Sequence, residues 1–214
     1  MKAVVKDVMS THPISVPETT AVKQLAAMLR ESGVSGFPVL DRDGRVLGVV
    51  SEADLLAKET LAGGPEGSTG LVHRSELRKA AGTTAADLMT SPAVTVTGND
   101  TISRAARLMY VRGLKRLPVV DAAGRLAGMI SRTDVLAVYD RLDEEIRVEI
   151  ISQVIPRLSE PGWYSVIVKD GVMTVEGTPE TPETPAIGWD VRTGARSVDG
   201  MVTVRDRLAG PQLK

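Results

Sequence analysis

Two short segments of this chain share an arrangement of hydroxyl and acidic side chains that could hold a sugar. Residues 48–56 read GVVSEADLL, and residues 128–136, eighty positions later, read GMISRTDVL. An ionised Asp can accept hydrogen bonds from two neighbouring hydroxyl groups, as a ribose offers, and a Ser hydroxyl can reach a phosphate or sugar oxygen. The candidate ligand-binding residues of the two segments are Ser51, Asp54, Ser131 and Asp134.

The same Ser-x-x-Asp spacing has a structural alternative. A Ser before a helix with an acid three residues later is a capping-box pattern, which satisfies backbone N–H groups at the helix start. The two roles are compatible, because a strand that leads into a helix N-terminus also leaves N–H groups that attract an anion. Gly48 and Gly128 likewise have two interpretations: room for a ligand beside the backbone, or close packing.

Both motifs belong to a longer repeat, in which residues 7–56 align with residues 87–136 without a gap. Each copy has a short apolar segment, a polar cap, apolar residues at helical spacing, and a Gly (Gly33 or Gly113) that ends the helix. Two strands joined by a Gly-containing turn follow, and Ser51 or Ser131 opens a second helix. Each copy is therefore predicted to be strand–helix–strand–strand–helix, and the two copies to pack together because each is marginal alone. The expected caps are Thr19, Thr20, Asn99 and Asp100, and the residues expected to face inward from the second helices are Leu55, Leu56, Val135 and Leu136.

The charges beside the two motifs differ. Copy two carries a basic segment at residues 104–116, whereas copy one has Ser35 and Gly36 opposite Lys115 and Arg116. Arg104 and Arg107 are expected to be solvated on a helix face. Lys115 and Arg116 lie just before a strand, nearer the expected cleft, and are candidates for a phosphate contact.

The composition excludes several classes of function. The 214 residues carry a net charge of about −1, which opposes nucleic-acid binding, although the basic segment supports it weakly. Cys is absent and the two His residues, His12 and His73, lie in a turn and a linker, so we expect no catalytic residue and no metal site. No segment reads as a signal peptide or a membrane span, and we expect a cytoplasmic protein.

The remaining segments have their own patterns. Between the copies, residues 58–84 contain a Gly-rich loop and a short helix expected around Arg74–Ala81. The loop sequence GGPEGSTG lacks the Gly-Lys-Ser/Thr ending of a phosphate-binding loop, and a flexible linker is expected. After copy two, a helix is expected over residues 140–158, then a hairpin turning at Asp170–Gly171, a weak helix over residues 186–197 and a last strand. The apolar face of the first of these helices is expected to consist of Leu142, Ile146, Ile150 and Val154.

The paired motifs, each preceded by a Pro-Val strand (FPV or LPV), resemble a tandem pair of CBS domains, also called a Bateman module, over about residues 4–140. The resemblance implies adenosyl ligands (AMP, ADP, ATP or S-adenosylmethionine) in clefts between the copies, and homodimers formed through helices of both copies. On that pattern Asp54 and Asp134 hold ribose hydroxyls, and Ser51 and Ser131 contact ribose or phosphate. Because Gly36 replaces the basic residue seen as Arg116, one cleft is expected to bind weakly or to prefer an uncharged tail. The other implied ligand contacts are Val16 and Val96, which border the adenine, and Pro38 and Pro118.

Residues 143–210 are similar to a BON domain, on the segments VIVKDGVMTVEG and SVDGMVTVRDRL. This resemblance implies interaction with a phospholipid or protein surface rather than catalysis. Trp163 and Trp189 have two interpretations, as surface anchors or as core residues.

Together these patterns predict an α/β (α+β) protein with two β-α-β-β-α units packed as a pair and a small α-β-β-α-β domain. The expected function is non-catalytic and regulatory: an adenosyl ligand bound by the pair, with no covalent cofactor, and a partner or membrane surface met by the last domain. The alternative is a ligand-free dimeric scaffold. The predicted boundaries are 1–60 for the first CBS domain, 61–82 for the linker, 83–142 for the second CBS domain, 143–210 for the BON-like domain and 211–214 for a tail.

Overall fold

The computed structural model describes residues 3–62, 79, 81–157, 164–177 and 193–208. Contacts divide the chain into two compact units, one of Val4–Arg132 and one of Met1–Ala3 with Thr133–Lys214. Predictions that concern His73, Trp163, Trp189, the GGPEGSTG loop and most of Arg74–Ala81 lie outside the described residues.

The two copies of the repeat fold alike, and the predicted order strand–helix–strand–strand–helix is confirmed in both. Each copy also begins with a short helix that the sequence patterns did not predict. The elements of copy one are α1 (Val5–Val8), β1 (Val16–Pro17), α2 (Val22–Ser32), β2 (Gly36–Leu40), β3 (Val46–Ser51) and α3 (Glu52–Ala62). Those of copy two are α4 (Ala85–Leu88), β4 (Val96–Thr97), α5 (Ile102–Arg112), β5 (Arg116–Val120), β6 (Leu126–Ser131) and α6 (Arg132–Leu136).

Each copy has one three-stranded sheet, and the two sheets share the same register. The first strand runs parallel to the second, which runs antiparallel to the third. Val39 pairs with Gly48 and Val119 pairs with Gly128, and the register shifts immediately after each of these pairs. The glycines of the two ligand motifs therefore occupy equivalent positions in the two sheets.

The ends of α2 and α5 follow from local sequence. Gly33 and Gly113 both have φ of 66°, the left-handed conformation that glycine adopts without strain, and they end the two helices as predicted. The predicted caps are wrong, because the N-cap residues are Ala21 and Thr101. Asp100 instead accepts from the N–H of Thr97 at 2.8 Å and so closes a turn before the helix.

The copies interlock through their short first helices. Ala85 and Leu88 of α4 are fully buried in the core cluster of copy one, where they join Phe37. In the reverse direction, the N–H of Val5 in α1 donates to the carbonyl of Asp100 in copy two at 2.9 Å. The prediction that the copies pack together is confirmed, since each supplies a helix to the other. The remaining members of the copy-one cluster are Val16, Leu25, Leu29, Val39 and Val50.

The second helices of the two copies bury fewer apolar side chains than their sequence spacing predicted. Leu55 and Val135 are half-buried. Leu56 and Leu136 are 67% and 59% exposed, so the prediction that they face inward is wrong. Neighbouring residues of a helix point about 100° apart. Both members of a Leu-Leu or Val-Leu pair would therefore be buried only if the helix had a wider contact face than these helix starts have.

The second unit has a helix packed on a three-stranded sheet. Helix α7 (Asp143–Glu149) continues as a π-helical segment (Ile150–Val154) and a 3₁₀ turn (Ile155–Arg157). The sheet order is β7 (Tyr164–Lys169), β8 (Val172–Gly177) and β9 (Thr203–Leu208), with β7 antiparallel and β9 parallel to β8. Residues 193–195 are helical, and the rest of the predicted helix at 186–197 lies largely outside the described residues.

The predicted hairpin and helix face of this unit are confirmed with one exception. Asp170 and Gly171 form the turn with φ of 52° and 68°, and Asp143 accepts from both of their N–H groups at 2.7 and 2.8 Å. The buried face of the helix includes Ile146, Ile150 and Val154, as predicted. The prediction for Leu142 is wrong, because this residue is the extended N-cap of the helix and is 66% exposed.

Where the chain is described, no helix combines the length and the apolar character that crossing a membrane requires.

Candidate ligand-binding cleft

A cleft of about 300 Å³ opens in the Val4–Arg132 unit between the two copies of the repeat. This volume is at the lower end of the range for small-molecule sites, roughly 300–1,000 Å³. Strand ends and helix starts of copy one form one wall, and the segment that joins α5 to β5 forms the other. The lining residues are Ser35, Gly36, Val49, Ser51, Glu52, Ala53, Asp54, Thr90, Gly113, Leu114, Lys115 and Arg116.

Asp54 and Ser51 lie together at the junction of β3 and α3. Ser51 ends the strand, and Asp54 in the first turn of the helix is only 8% exposed. The backbone N–H and the hydroxyl of Ser51 both donate to Asp54 Oδ2 at 2.8 Å. One half of the capping box is therefore present in copy one, since Asp54 accepts from the backbone N–H of Ser51, and its carboxylate lies at the cleft.

The second carboxylate oxygen of Asp54 is held by Lys79, which comes from the segment between the copies. Lys79 Nζ pairs with Asp54 Oδ1 and also donates to Thr90 Oγ1 at 3.0 Å. Sequence reasoning missed Lys79, because a lysine in a linker carries no signal for a contact 25 residues away. Its only marker is the helical pattern of Arg74–Ala81, at whose end it stands.

Lys115 and Arg116 reach the Asp54 cleft from the other copy. Arg116 Nη2 donates to Ser35 Oγ at 3.0 Å. Lys115 Nζ lies 4.0 Å from Glu52 Oε2, and both side chains are more than half exposed, so this ion pair contributes little stability. The acid of copy one thus shares a cleft with the cations of copy two.

Gly48 and Gly128 are packing glycines. A Cβ atom on Gly48 would lie 2.6 Å from the sulfur of Met89, and one on Gly128 would lie 2.7 Å from the sulfur of Met9. The interpretation that they leave room for a ligand is wrong, because a methionine from the opposite copy fills that space. The sequence signal for this contact was that methionine occupies the aligned positions 9 and 89 of the two copies.

The structure does not bring all candidate residues to this cleft. Val16 and Val96 are 2% exposed, and they lie outside its lining together with the buried Pro38 and Pro118. Ser131 ends β6 and Asp134 lies in the first turn of α6, the positions that the repeat predicts. The candidates gathered at the cleft are Ser51, Asp54, Lys115 and Arg116.

The expectation that Arg104 and Arg107 are solvated can be compared with the structure. Arg104 and Arg107 lie on the exposed side of α5, and Arg104 pairs with Asp100 at 3.1 Å on the same surface. Within the described ranges, no group of three or more His, Cys, Asp and Glu side chains could hold a metal ion.

Comparison with known proteins gives several matches. CBSX1, a chloroplastic CBS domain-containing protein of Arabidopsis thaliana, is 32% identical over 133 residues, which are 56% of this chain and 56% of CBSX1. An uncharacterized protein of Methanocaldococcus jannaschii is 30% identical over 151 residues, 62% of this chain and 88% of the relative. The chain thus spans about half the length of the plant relative. One match has an enzyme name, a homoserine O-acetyltransferase of Methanocorpusculum labreanum, but it is 26% identical and only 22% of it is covered.

Solved structures match the same part of the chain. The crystal structure of CBSX2 in complex with AMP has a TM-score of 0.55 and 31% identity, over 63% of this chain and 94% of that one. CBSX2 is likewise a protein of Arabidopsis thaliana. The CBS domain pair of MJ0100, in complex with 5′-methylthioadenosine and S-adenosyl-L-methionine, has a TM-score of 0.52 over 65% of this chain and 98% of its own. At 20% identity that likeness shows the fold alone.

The family model of the CBS domain matches residues 5–59 and 85–141, which are the two copies of the repeat. This chain therefore belongs to the CBS-domain family and contains a tandem CBS pair.

Proposed function

We propose that this protein is a non-catalytic regulatory protein whose CBS pair binds an adenosyl ligand: AMP, ADP, ATP or S-adenosylmethionine. The observation that carries the proposal is the cleft itself, where Ser51 and Asp54 of one copy face Lys115 and Arg116 of the other. The related CBSX2, with AMP bound in its crystal structure, supports the ligand class.

Each side chain of the cleft has a role that its chemistry fits. Asp54 accepts the ribose hydroxyls, and Ser51 orients that carboxylate through its N–H and hydroxyl. Lys115 and Arg116 supply the charge-assisted hydrogen bonds that phosphate oxygens accept. The repeat assigns the matching roles in a second site to Ser131 and Asp134. The proposed set is completed, as bordering the adenine, by Val16, Val96, Pro38 and Pro118.

A homodimer is part of the proposal. Leu56 on α3 and Tyr110 and Val111 on α5 are 67%, 88% and 66% exposed. Apolar side chains of this size exposed on helix surfaces support association with a second copy, which would remove them from water. If no ligand binds, the same surface supports the alternative function of a dimeric scaffold.

The last unit is proposed to be a BON-like domain that meets a protein or phospholipid surface in the cytoplasm. The order helix, hairpin and parallel last strand supports this assignment. The exposed Ile167 on β7 and the exposed Val202 just before β9 offer apolar contact for such a surface.

A thermal screen tests the ligand proposal on the intact chain. A ligand at a hundred times its dissociation constant stabilises the folded state by about 2.7 kcal/mol. For a protein of this size, that raises Tm by roughly 5–10 °C. We expect this shift with at least one of AMP, ADP, ATP and S-adenosylmethionine. A flat screen would instead favour the scaffold, and turnover of a nucleotide would identify an enzyme.

A further inference from the structure

The carboxylate of Asp54 has too few acceptor positions left to hold a ribose diol while Lys79 is in place. A carboxylate offers about four lone-pair positions, two on each oxygen. Oδ2 accepts from both donors of Ser51, the backbone N–H and the hydroxyl, and Oδ1 accepts from Lys79 Nζ. One position remains, whereas the 2′- and 3′-hydroxyls of a ribose need two.

We propose that Lys79 is a specificity-determining residue of the cleft, one that the ribose must displace from Asp54 Oδ1. This inference rests on the proposed function, since it concerns the same carboxylate and the same class of ligand. Lys79 then sets the affinity for adenosyl compounds that have a free 2′,3′-diol, and it leaves the affinity for compounds without the diol unchanged.

The contact between Lys79 and Asp54 is well placed to compete with a ribose for the carboxylate. The side chains of Lys79 and Asp54 are 19% and 10% exposed, so water screens the pair less than it screens the surface ion pairs of this unit. Thr90 Oγ1 accepts a second hydrogen bond from the same ammonium group, which fixes its position beside the cleft. Thr90 itself lines the cleft, so the ammonium group of Lys79 bonds to two residues of the lining, Asp54 and Thr90.

Gly82, three residues after Lys79, is held by contacts on two sides. Lys58 on α3 donates to the carbonyl of Gly82 at 2.8 Å. A Cβ atom on Gly82 would lie 2.5 Å from Cβ of Asp87 and 2.7 Å from a methyl group of Leu88, so this backbone is closely packed against α4. Gly82 is therefore held in place three residues after Lys79.

The test compares the wild-type chain, Lys79→Met and Lys23→Met, which removes the same charge from an exposed lysine on α2 that is not among the residues lining the cleft. Each protein is titrated calorimetrically with adenosine and with 2′,3′-dideoxyadenosine. The state that can bind ribose is the one in which Lys79 has left Asp54. When about 10% or less of the molecules are in that state, the apparent affinity for adenosine is lowered by at least about tenfold. We therefore expect Lys79→Met to bind adenosine at least about tenfold more tightly than wild type. Dideoxyadenosine should bind all three proteins equally, and Lys23→Met should resemble wild type with both compounds.

Lys79→Arg, which keeps a cation beside Asp54, should return adenosine affinity to the wild-type level. A second measurement on the unmodified chain guards against misfolding of the variants: saturating adenosine should raise acetylation of the Lys79 amine, measured by mass spectrometry. Equal or weaker adenosine binding by folded Lys79→Met would overturn the inference and leave the proposed function standing. So would unchanged or reduced labelling of Lys79 in the adenosine-saturated wild-type chain. No adenosyl binding by any of these proteins would overturn the proposed function and this inference together.

Discussion

The two copies of the repeat have the same backbone and different cleft chemistry. Their strands share one register, and their helices end at equivalent glycines. Lys115 and Arg116, however, stand where copy one has Ser35 and Gly36. The comparison teaches that apolar and glycine positions determine this fold, whereas the proposed ligand binding depends on the few polar side chains that cross from one copy to the other.

The difference at Gly36 is steric as well as electrostatic. A Cβ atom there would lie 2.9 Å from the carbonyl oxygen of Val50 and 3.1 Å from Cβ of Ser51, the neighbours on β3. The equivalent Arg116 lies opposite Ser131 in the pairing of β5 with β6, and its guanidinium group donates to the hydroxyl of Ser35. Copy one is therefore closely packed at the point where copy two carries a cation.

The largest effects should come from the equivalent core residues Phe37 and Leu117, both fully buried. Truncation to Ala should lower the free energy of unfolding by about 3–5 kcal/mol for Phe37 and about 2–5 kcal/mol for Leu117, because each leaves a cavity. Urea denaturation measures both. Phe37→Leu, which introduces the copy-two residue, is the milder control. A cost near zero for either Ala variant would show that one copy has no packed core of its own.

The packing glycines provide the next test of equivalence. Gly48→Ala and Gly128→Ala should each lower the free energy of unfolding by about 1–3 kcal/mol, since each forces a Cβ against a methionine of the other copy. Gly98→Ala, whose Cβ would lie 3.3 Å from Cβ of Lys6, should cost less. Thermal melts of the three variants decide the matter. If only one of the two motif glycines is sensitive, the copies do not interlock symmetrically.

The asymmetry of the clefts is tested through Arg116. Arg116→Ala should weaken AMP binding by roughly 10- to 100-fold, because a charge-assisted hydrogen bond to phosphate is worth roughly 1.5–3 kcal/mol. Adenosine, which has no phosphate, should bind the variant as it binds the wild-type chain. Calorimetric titration with both compounds separates the effects. Equal weakening of AMP and adenosine would mean that Arg116 shapes the cleft and does not bind phosphate.

The smallest effect concerns pH and the starts of α1 and α4. The backbone N–H groups of Thr83 and Thr84, with the hydroxyl of Thr84, lower the pKa of Asp87. Because the folded pKa is lowered, the stabilisation is present above pH about 4 and is lost as pH falls through the lowered pKa. Asp87→Asn should therefore reduce Tm at neutral pH and leave it unchanged in strong acid. Asp7→Asn in α1 is the matched control, because Val4, at the position equivalent to Thr84, has no hydroxyl group to donate to Asp7. An equal loss at both pH extremes would rule out a role for the ionised carboxylate.

Much of the fold could be predicted from the sequence, because local rules and the repeat agree. Gly33 and Gly113 mark helix ends, and Asp170–Gly171 marks a hairpin, through conformations that few other residues adopt. The prediction for Leu56 failed because periodicity gives the spacing of an apolar face and not its width.

The candidate site could be predicted only in part. The Ser51–Asp54 pair is a local motif, and the repeat makes it visible. Lys79 lies 25 residues from Asp54, and the path of the intervening chain decides whether they meet. Gly48 was ambiguous for a similar reason, since the sequence does not say that Met89 of the other copy fills the space beside it.

The most direct test of the central claim is calorimetric titration of AMP into the wild-type chain, Asp54→Ala and Asp43→Ala, whose carboxylate lies outside the cleft. Loss of the hydrogen bonds from the ribose hydroxyls to an ionised acceptor should weaken binding by roughly 10- to 100-fold in Asp54→Ala. Asp43→Ala should match wild type. Undiminished AMP binding by folded Asp54→Ala would contradict the claim that this acid holds the nucleoside in the cleft between the two CBS domains.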